Sequence, residues 1–202
     1  MVAHVPPPSL SAQEFEHIAS LHRSELPTSI LGMMGASTLT RYYRWAGATQ
    51  QEHLFLAGRN ANITGVAVVS LAPTTLISRF VRSSPVRFCI EAGTAYGRSR
   101  TFRKQALAFA REDGSESGDQ GEPELMQIFI AAEARGRAVG SGLLSQVEHR
   151  LRALGVRSYL ARTLAENNEA TLAFYERRGF APFGRRSFCG QEYVFLRKSL
   201  AA

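Results

Sequence analysis

The chain has 202 residues, of which 45% are hydrophobic, and a formal net charge of +7. That length and apolar content suffice for one buried core and predict a single domain over residues 1–202. The two cysteines, Cys89 and Cys189, are too few for a disulfide scaffold and lack the paired spacing of a metal site. The histidines (His4, His17, His22, His53 and His149) are dispersed, so no metal is expected. Met1–Pro8 has no basic-then-apolar signal region, and no apolar run reaches the ~18 residues of a membrane span. A cytoplasmic protein with reduced cysteines is expected. The basic balance points to an anionic partner: nucleic acid, a membrane surface or a phosphorylated cofactor. No basic helix interleaved with aromatics occurs, so a nucleic-acid-binding domain rests on net charge alone.

Residues 1–10, with Pro6–Pro8, read as a flexible lead-in. Ser11 and Glu14 have the spacing of a capping box, which predicts a helix from Ala12 to Arg23 with Phe15, Ile18 and Ala19 inward. From Pro27 to Gly35 the chain is apolar but poorly helical, and a helix over Leu39–Trp45 then carries Tyr42, Tyr43 and Trp45. Leu54–Gly58 and Ile63–Leu71 read as a hairpin turning at Asn60-Ala61-Asn62. Helices are predicted over Thr74–Val81 and Phe102–Arg111, with no element assigned between them. Residues 112–122 are polar and glycine-rich, with too little apolar content to pack, and are expected to form a mobile surface loop, with an active-site lid as the alternative.

Beyond that loop the apolar run Leu125–Ile130 leads into Arg135-Gly136-Arg137-Ala138-Val139-Gly140-Ser141-Gly142 and an amphipathic helix. Leu143, Leu144, Val147, Leu151 and Leu154 form its inner face, Glu148, Arg150 and Arg152 its polar face, and Gly155 its end. A strand, a turn rich in Gly and Arg, and a helix together make a phosphate socket, because small residues admit an anion to the unpaired N–H groups of the helix. No Gly-Lys-Ser/Thr follows, which excludes a nucleoside-triphosphate loop, and Gly136, Gly140 and Gly142 have the wrong spacing for a dinucleotide fingerprint. An ordinary turn with solvated arginines is the alternative. A strand-like run, Ser158–Thr163, precedes Asn168-Glu169-Ala170-Thr171-Leu172-Ala173-Phe174-Tyr175-Glu176-Arg177-Arg178-Gly179-Phe180. There Asn168 caps a helix that Gly179 ends, and Phe180–Phe188 with Glu192–Arg197 reads as a closing hairpin.

The two segments together resemble the GNAT superfamily of acyl-CoA-dependent N-acetyltransferases, most strongly over residues 124–196. The resemblance implies an α/β (α+β) fold with a mixed, mostly antiparallel central sheet flanked by helices and splayed for acetyl-CoA. Arg135 matches the leading residue of the family's Gln/Arg-x-x-Gly-x-Gly/Ala loop, Ala138 stands where Gly is usual, and Gly140 matches the close. The overlapping frame Arg137–Gly142 also fits, but the first puts Ile130 five residues before the arginine, where the family's strand meets the pantetheine arm. The implied cofactor contacts are Ile128, Phe129, Ile130, Arg135, Gly136, Arg137, Ala138, Val139, Gly140, Ser141 and Asn168.

Tyr175 aligns with the family's tyrosine acid; a phenol of pKa about 10 suits a leaving thiolate of about 8.5. The oxyanion donor falls at a backbone N–H near Ile130, where the family strand bulges. Glu124, eleven residues before Arg135, matches the general base of some members, and otherwise it ends an acidic loop. Thr163 replaces the glutamate that other members place five residues before the Asn. A covalent route through Cys189 has no His or Asp framed around it. The implied acceptor surface is Leu21–Trp45, loosely like members that modify amino sugars; there Tyr42, Tyr43 and Trp45 either stack on a sugar or pack in the core. The expected partners are acetyl-CoA and an amine acceptor, with no membrane, nucleic acid disfavoured and a homodimer open. The reading is an N-acetyltransferase acting by direct attack; a non-catalytic acyl-CoA-binding module and a nucleic-acid-binding domain are its rivals.

Overall fold

The computed structural model describes residues 2–5, 10–111, 121–166, 168–188 and 190–200. In chain order these form β1 (Val2–Val5), α1 (Ala12–Glu25), α2 (Ile30–Met34), α3 (Ala36–Ala46), β2 (Glu52–Ala57) and β3 (Gly65–Ser70). Three helices follow, α4 (Leu76–Ser83), α5 (Pro85–Arg98) and α6 (Arg100–Arg111), and then β4 (Glu124–Ile130) and α7 (Val139–Ala153). The chain closes with β5 (Ser158–Leu164), α8 (Glu169–Arg177), β6 (Ala181–Phe188) and β7 (Gln191–Ser199). The strands make one sheet in the order β1-β2-β3-β4-β5-β7-β6. Every neighbouring pair is antiparallel except β4 and β5.

β2 and β3 are buried along their whole length because both faces of the sheet are covered. The two-residue alternation of a strand sorts their side chains. Phe55, Ala67 and Val69 pack with Leu125 against Leu143, Leu144, Val147 and Leu151 of α7 and Tyr175 of α8. Leu54, Leu56, Val66 and Val68 pack against Phe15 and Ile18 of α1 and Leu39, Tyr42 and Tyr43 of α3. A third cluster, Met34, Ala95 and Phe102, joins α2, α5 and α6. The capping box of α1 is complete: Glu14 N–H donates to Ser11 Oγ, and the Ser11 N–H donates to Glu14 Oε2 at 2.9 Å.

Several sequence expectations are corrected. The lead-in over residues 1–10 contains an edge strand, since Val2 to Val5 pair with Ala57 to Leu54; four residues are too few for a periodicity to show. Pro6–Pro8 and residues 112–120 of the expected mobile loop lie outside the described residues, as does Cys189. The stretch from Pro27 to Gly35 holds the short helix α2, whose Gly32 N–H is capped by Ser29 Oγ at 3.0 Å. α5 has no counterpart among the sequence expectations: Pro85 opens it as the first helical residue, where a missing N–H costs nothing. On α7, Leu154 is the exposed C-cap, whereas Glu148 is buried on the face expected to be polar. Burial there is tolerated because Lys198 Nζ lies 2.5 Å from Glu148 Oε1 and Tyr159 donates to the same oxygen at 3.2 Å.

Candidate functional site

The two parallel strands pair only at Glu124 with Leu160 and Leu125 with Ala161. Past that point β4 stays with β3 and β5 with β7, so the sheet opens between them. A register shift opposite Val68 and Val69 makes Met126 a bulge. The bulge thus falls four residues before Ile130, not beside it as the sequence reading places it. Ala131 N–H donates to Thr64 O at 2.9 Å, and the alternation of an antiparallel ladder then turns the N–H groups of Ile128 and Ile130 away from β3, into the opening. The side chains of Ile128 and Ile130 lie on the α7 side. Phe129 does not join them: it is buried on the α1–α3 side, and its backbone faces β3.

The turn from β4 into α7 supplies the loop. Gly136 has φ +74° and Ala138 φ +58°, flanking Arg137, an alternation that turns successive N–H groups to one side. The first helical bond of α7 runs from Gly142 N–H to Ala138 O at 2.9 Å. The backbone N–H groups from Gly136 through Ser141 therefore have no acceptor among the described residues, and they sit at the positive end of a helix dipole. Ala138 occupies the left-handed region as a non-glycine residue, which costs on the order of 1–2 kcal/mol.

Gly140 is small for another reason than phosphate approach. A Cβ there would stand 2.8 Å from Ile130 Cδ1 and 3.4 Å from Phe174 Cζ. Its missing side chain lets α7 sit against β4 and α8. Arg135 pairs with Glu25 at the end of α1, and its Nε donates to Ile130 O at 3.4 Å. Arg178, which the sequence reading does not single out, donates through Nη2 to Ser141 O at 3.1 Å and to Ser145 Oγ at 3.0 Å, joining α8 to α7.

Tyr175 belongs to the cluster that holds Ile128, Ile130, Val139 and Phe174, with Phe174 and Phe180 as edge-on ring neighbours. Its hydroxyl has no hydrogen-bond partner among the described residues, and burial pushes its pKa well above the usual phenol value. Asn168 stands at the N-cap position of α8, but its side chain does not cap. Instead Nδ2 donates to Thr163 Oγ1 on β5, while its backbone carbonyl accepts from Leu172 N–H at 3.0 Å.

Glu124 lies at the closed end of the opening and is almost fully buried. Arg162 Nε is 3.0 Å from its Oε1, in ion-pair range, yet that oxygen accepts no hydrogen bond. Burial raises the carboxyl above its ordinary value, and Arg162 offsets part of the rise.

The α1–α3 side carries a buried polar chain that sequence spacing does not reveal. Gly32 N–H donates to Ser29 Oγ, Ser29 lies 2.6 Å from His22 Nε2, and His22 Nδ1 lies 2.5 Å from the Tyr43 hydroxyl. Tyr43 donates to Gln127 Oε1 at 2.6 Å, one residue past the bulge. Ser29 donating to Nε2 and Nδ1–H donating to Tyr43 satisfy every group with a neutral imidazole. Desolvation indeed lowers His22 to about 4, against a smaller opposing effect of Gln127. Tyr42 and Tyr43 are thus core residues and offer no face for a sugar, and Trp45 packs on Tyr42 and Phe80. Beside this chain, Arg23, Ser24, Pro27, Gly32, Met33 and Gly35 line a cavity of about 400 Å³. Among the described residues no His, Cys, Asp and Glu cluster has the makings of a metal site, and no helix is long and apolar enough to cross a membrane.

The model of the acetyltransferase (GNAT) family matches residues 18–180. No curated protein sequence matches the chain. Similar solved structures include an acetyltransferase with 18% identity and a TM-score of 0.63, each chain covered in full. An N-acetyltransferase from Staphylococcus aureus has 13% identity and a TM-score of 0.61, covering 100% of this chain and 98% of that one. A ribosomal-protein-alanine N-acetyltransferase from Brucella melitensis has 15% identity and a TM-score of 0.58, covering 98% and 99%. At these identities the likeness is one of fold.

Proposed function

Because the chain belongs to the GNAT acetyltransferase family, we propose that it moves the acetyl group of acetyl-CoA onto a primary amine by direct attack in a ternary complex. The observation that carries this reading is the run of unpartnered N–H groups from Gly136 through Ser141, set at a helix N-terminus beside the opening of β4 from β5. Such an array suits a diphosphate and fits the family's co-substrate. Acetyl-CoA supplies a thioester carbonyl at which the amine nitrogen forms a bond as the carbon–sulfur bond breaks.

The remaining roles fall to the chain. The N–H groups of Ile128 and Ile130, facing the opening, are placed to donate to the carbonyl oxygen as it gains negative charge. Tyr175 delivers a proton to the departing thiolate in this reading; burial keeps the phenol protonated and also weakens it as an acid. Glu124 accepts the amine's proton through water in this reading; its raised pKa and an Oε1 that accepts no hydrogen bond support that assignment. Thr163, held by Asn168, has no carboxylate to offer. The acceptor enters from the α1–α3 side, beside the cavity at Arg23 and Met33. An acyl-transfer screen against amino sugars, amino acids, polyamines and N-terminal peptides tests the reading, with thiol release as the signal. Tight acetyl-CoA binding without acetylation of any amine would refute it in favour of a binding module.

A further inference from the structure

β3 and β4 are adjacent antiparallel strands, with Val68 opposite Gln127, so a short hairpin would connect them. The chain instead inserts α4, α5 and α6. Within it, Leu76–Arg111 holds eight Lys and Arg residues and one carboxylate, Glu91, a local net charge of +7 that precedes the acidic residues of 112–122. Glu91 is taken up internally by Arg41 and Arg87. Arg82, Arg98, Arg100 and Lys104 are exposed and form no ion pair with a described residue.

The same insertion exposes Ile77, Val86, Ile90, Tyr96 and Leu107, whereas elsewhere only Leu154 and Phe183 are large and apolar and exposed among the described residues. On α5 the only buried residue is Ala95. Its outward face, Val86, Cys89, Ile90, Gly93, Thr94, Tyr96 and Gly97, carries no charge, and Val86 and Ile90 are 73% and 65% exposed. An uncharged apolar helix face together with unpaired cations on that helix and its neighbours is the pattern of a helix that lies in a bilayer interface.

We propose that α5, with the cations around it, docks the protein on an anionic lipid surface. Val86 and Ile90 enter the acyl boundary, while Arg82, Arg98, Arg100 and Lys104 meet the headgroup phosphates. A nucleic acid offers the same negative charge but nothing to receive the apolar ridge, whose burial against phosphates would strand it without partners. The consequence for the reaction is spatial. α5 and α6 share a cluster with Met34 of α2, and Gly32 and Met33 of that helix line the cavity, so docking brings the acceptor side close to the lipid.

Co-sedimentation of the full chain with vesicles tests this, comparing equal parts phosphatidylglycerol and phosphatidylcholine with phosphatidylcholine alone. The expected result is binding to the anionic vesicles only, weakened by salt. Replacing Arg82, Arg98, Arg100 and Lys104 together by Gln should lower vesicle affinity on the order of 100-fold or more. The double variant Val86→Ser/Ile90→Ser should lower it on the order of tenfold. All six side chains are exposed, and unchanged acetyl-CoA affinity and far-ultraviolet circular dichroism verify the folds. Equal binding to both vesicle types, unaltered binding by either variant, or retention on RNA without binding to vesicles would each overturn the proposal.

Discussion

Gly140 separates two explanations for a glycine in this loop, and a double-mutant cycle decides between them. In Gly140→Ala the new methyl would sit 2.8 Å from Ile130 Cδ1, inside the ~3.5–4.0 Å of a carbon–carbon contact. Overpacking of that size costs about 1–3 kcal/mol, and better helix propensity returns up to about 1 kcal/mol. The net loss expected is about 0–3 kcal/mol, toward the lower end because the clashing atom is the tip of a flexible side chain. Ile130→Val removes that tip and by itself costs about 0.5–1.5 kcal/mol. In the Ile130→Val background the alanine has room, so the coupling between the sites should be about 1–3 kcal/mol in the favourable direction. Urea denaturation of the four proteins gives the stabilities, and calorimetric titration with acetyl-CoA gives the affinities. Packing predicts that the double variant recovers both. Stabilities additive within about 0.5 kcal/mol, or an affinity lost equally in both backgrounds, would refute packing and return Gly140 to phosphate approach.

The other predictions concern single groups. Ala138→Gly should relieve about 1–2 kcal/mol of left-handed strain against an unfolded-state cost of about 0.4–1 kcal/mol, raising stability by about 0.5–1 kcal/mol in a urea titration; a loss of stability would show that the methyl makes contacts worth more than its strain. Tyr175→Phe should lower kcat on the order of 100-fold with little change in acetyl-CoA affinity, and equal turnover across alkaline pH would reduce Tyr175 to packing. Glu124→Gln should keep acetyl-CoA binding and lose activity mainly near neutral pH; a pH–rate profile overlaying the parent's would remove the base role. His22 stays neutral in the fold down to about 4, whereas the unfolded chain takes up its proton near 6.5. Between those values the unfolded state binds more protons, so stability falls as pH drops through the window, by up to about 3 kcal/mol. His22→Gln should flatten that part of the melting-temperature profile, and an unaltered slope would show that other groups set it.

Local chemistry made much of the fold readable in the sequence. The capping box of α1, the apolar stripe of α7 and the hairpin of β2 and β3 each depend on residues within a few positions of one another. The failures have equally definite causes. β1 is too short to show a period and is fixed by its pairing with β2. α5 turns an uncharged face outward, so no amphipathic stripe announces it, and Ser84 before Pro85 is a start signal that a turn shares. The polar face of α7 conceals Glu148 because its cation, Lys198, arrives from β7 fifty residues later.

The two sides of the opening were unequally legible for one physical reason. On the α7 side the proposed diphosphate site is made of backbone: a positive φ at Gly136 and free N–H groups ahead of a helix follow from glycine and from helix geometry, and both are written locally. On the α1–α3 side the polar groups are side chains brought together from afar, with Tyr43 and Gln127 separated by 84 positions. No spacing rule encodes that meeting. The outcome also limits what this side does: with His22 held neutral and Tyr43 pushed well above its ordinary pKa, the chain from Ser29 to Gln127 is a fixed scaffold across the pH range in which amines are acetylated. Its fully matched hydrogen bonds hold α1, α2 and α3 to β4 next to the bulge. The proposed acceptor side is accordingly rigid where it meets β4. In the proposed reaction, discrimination among amines would then fall to the cavity at Arg23 and Met33, whose walls come from the turn and the short helix between α1 and α3.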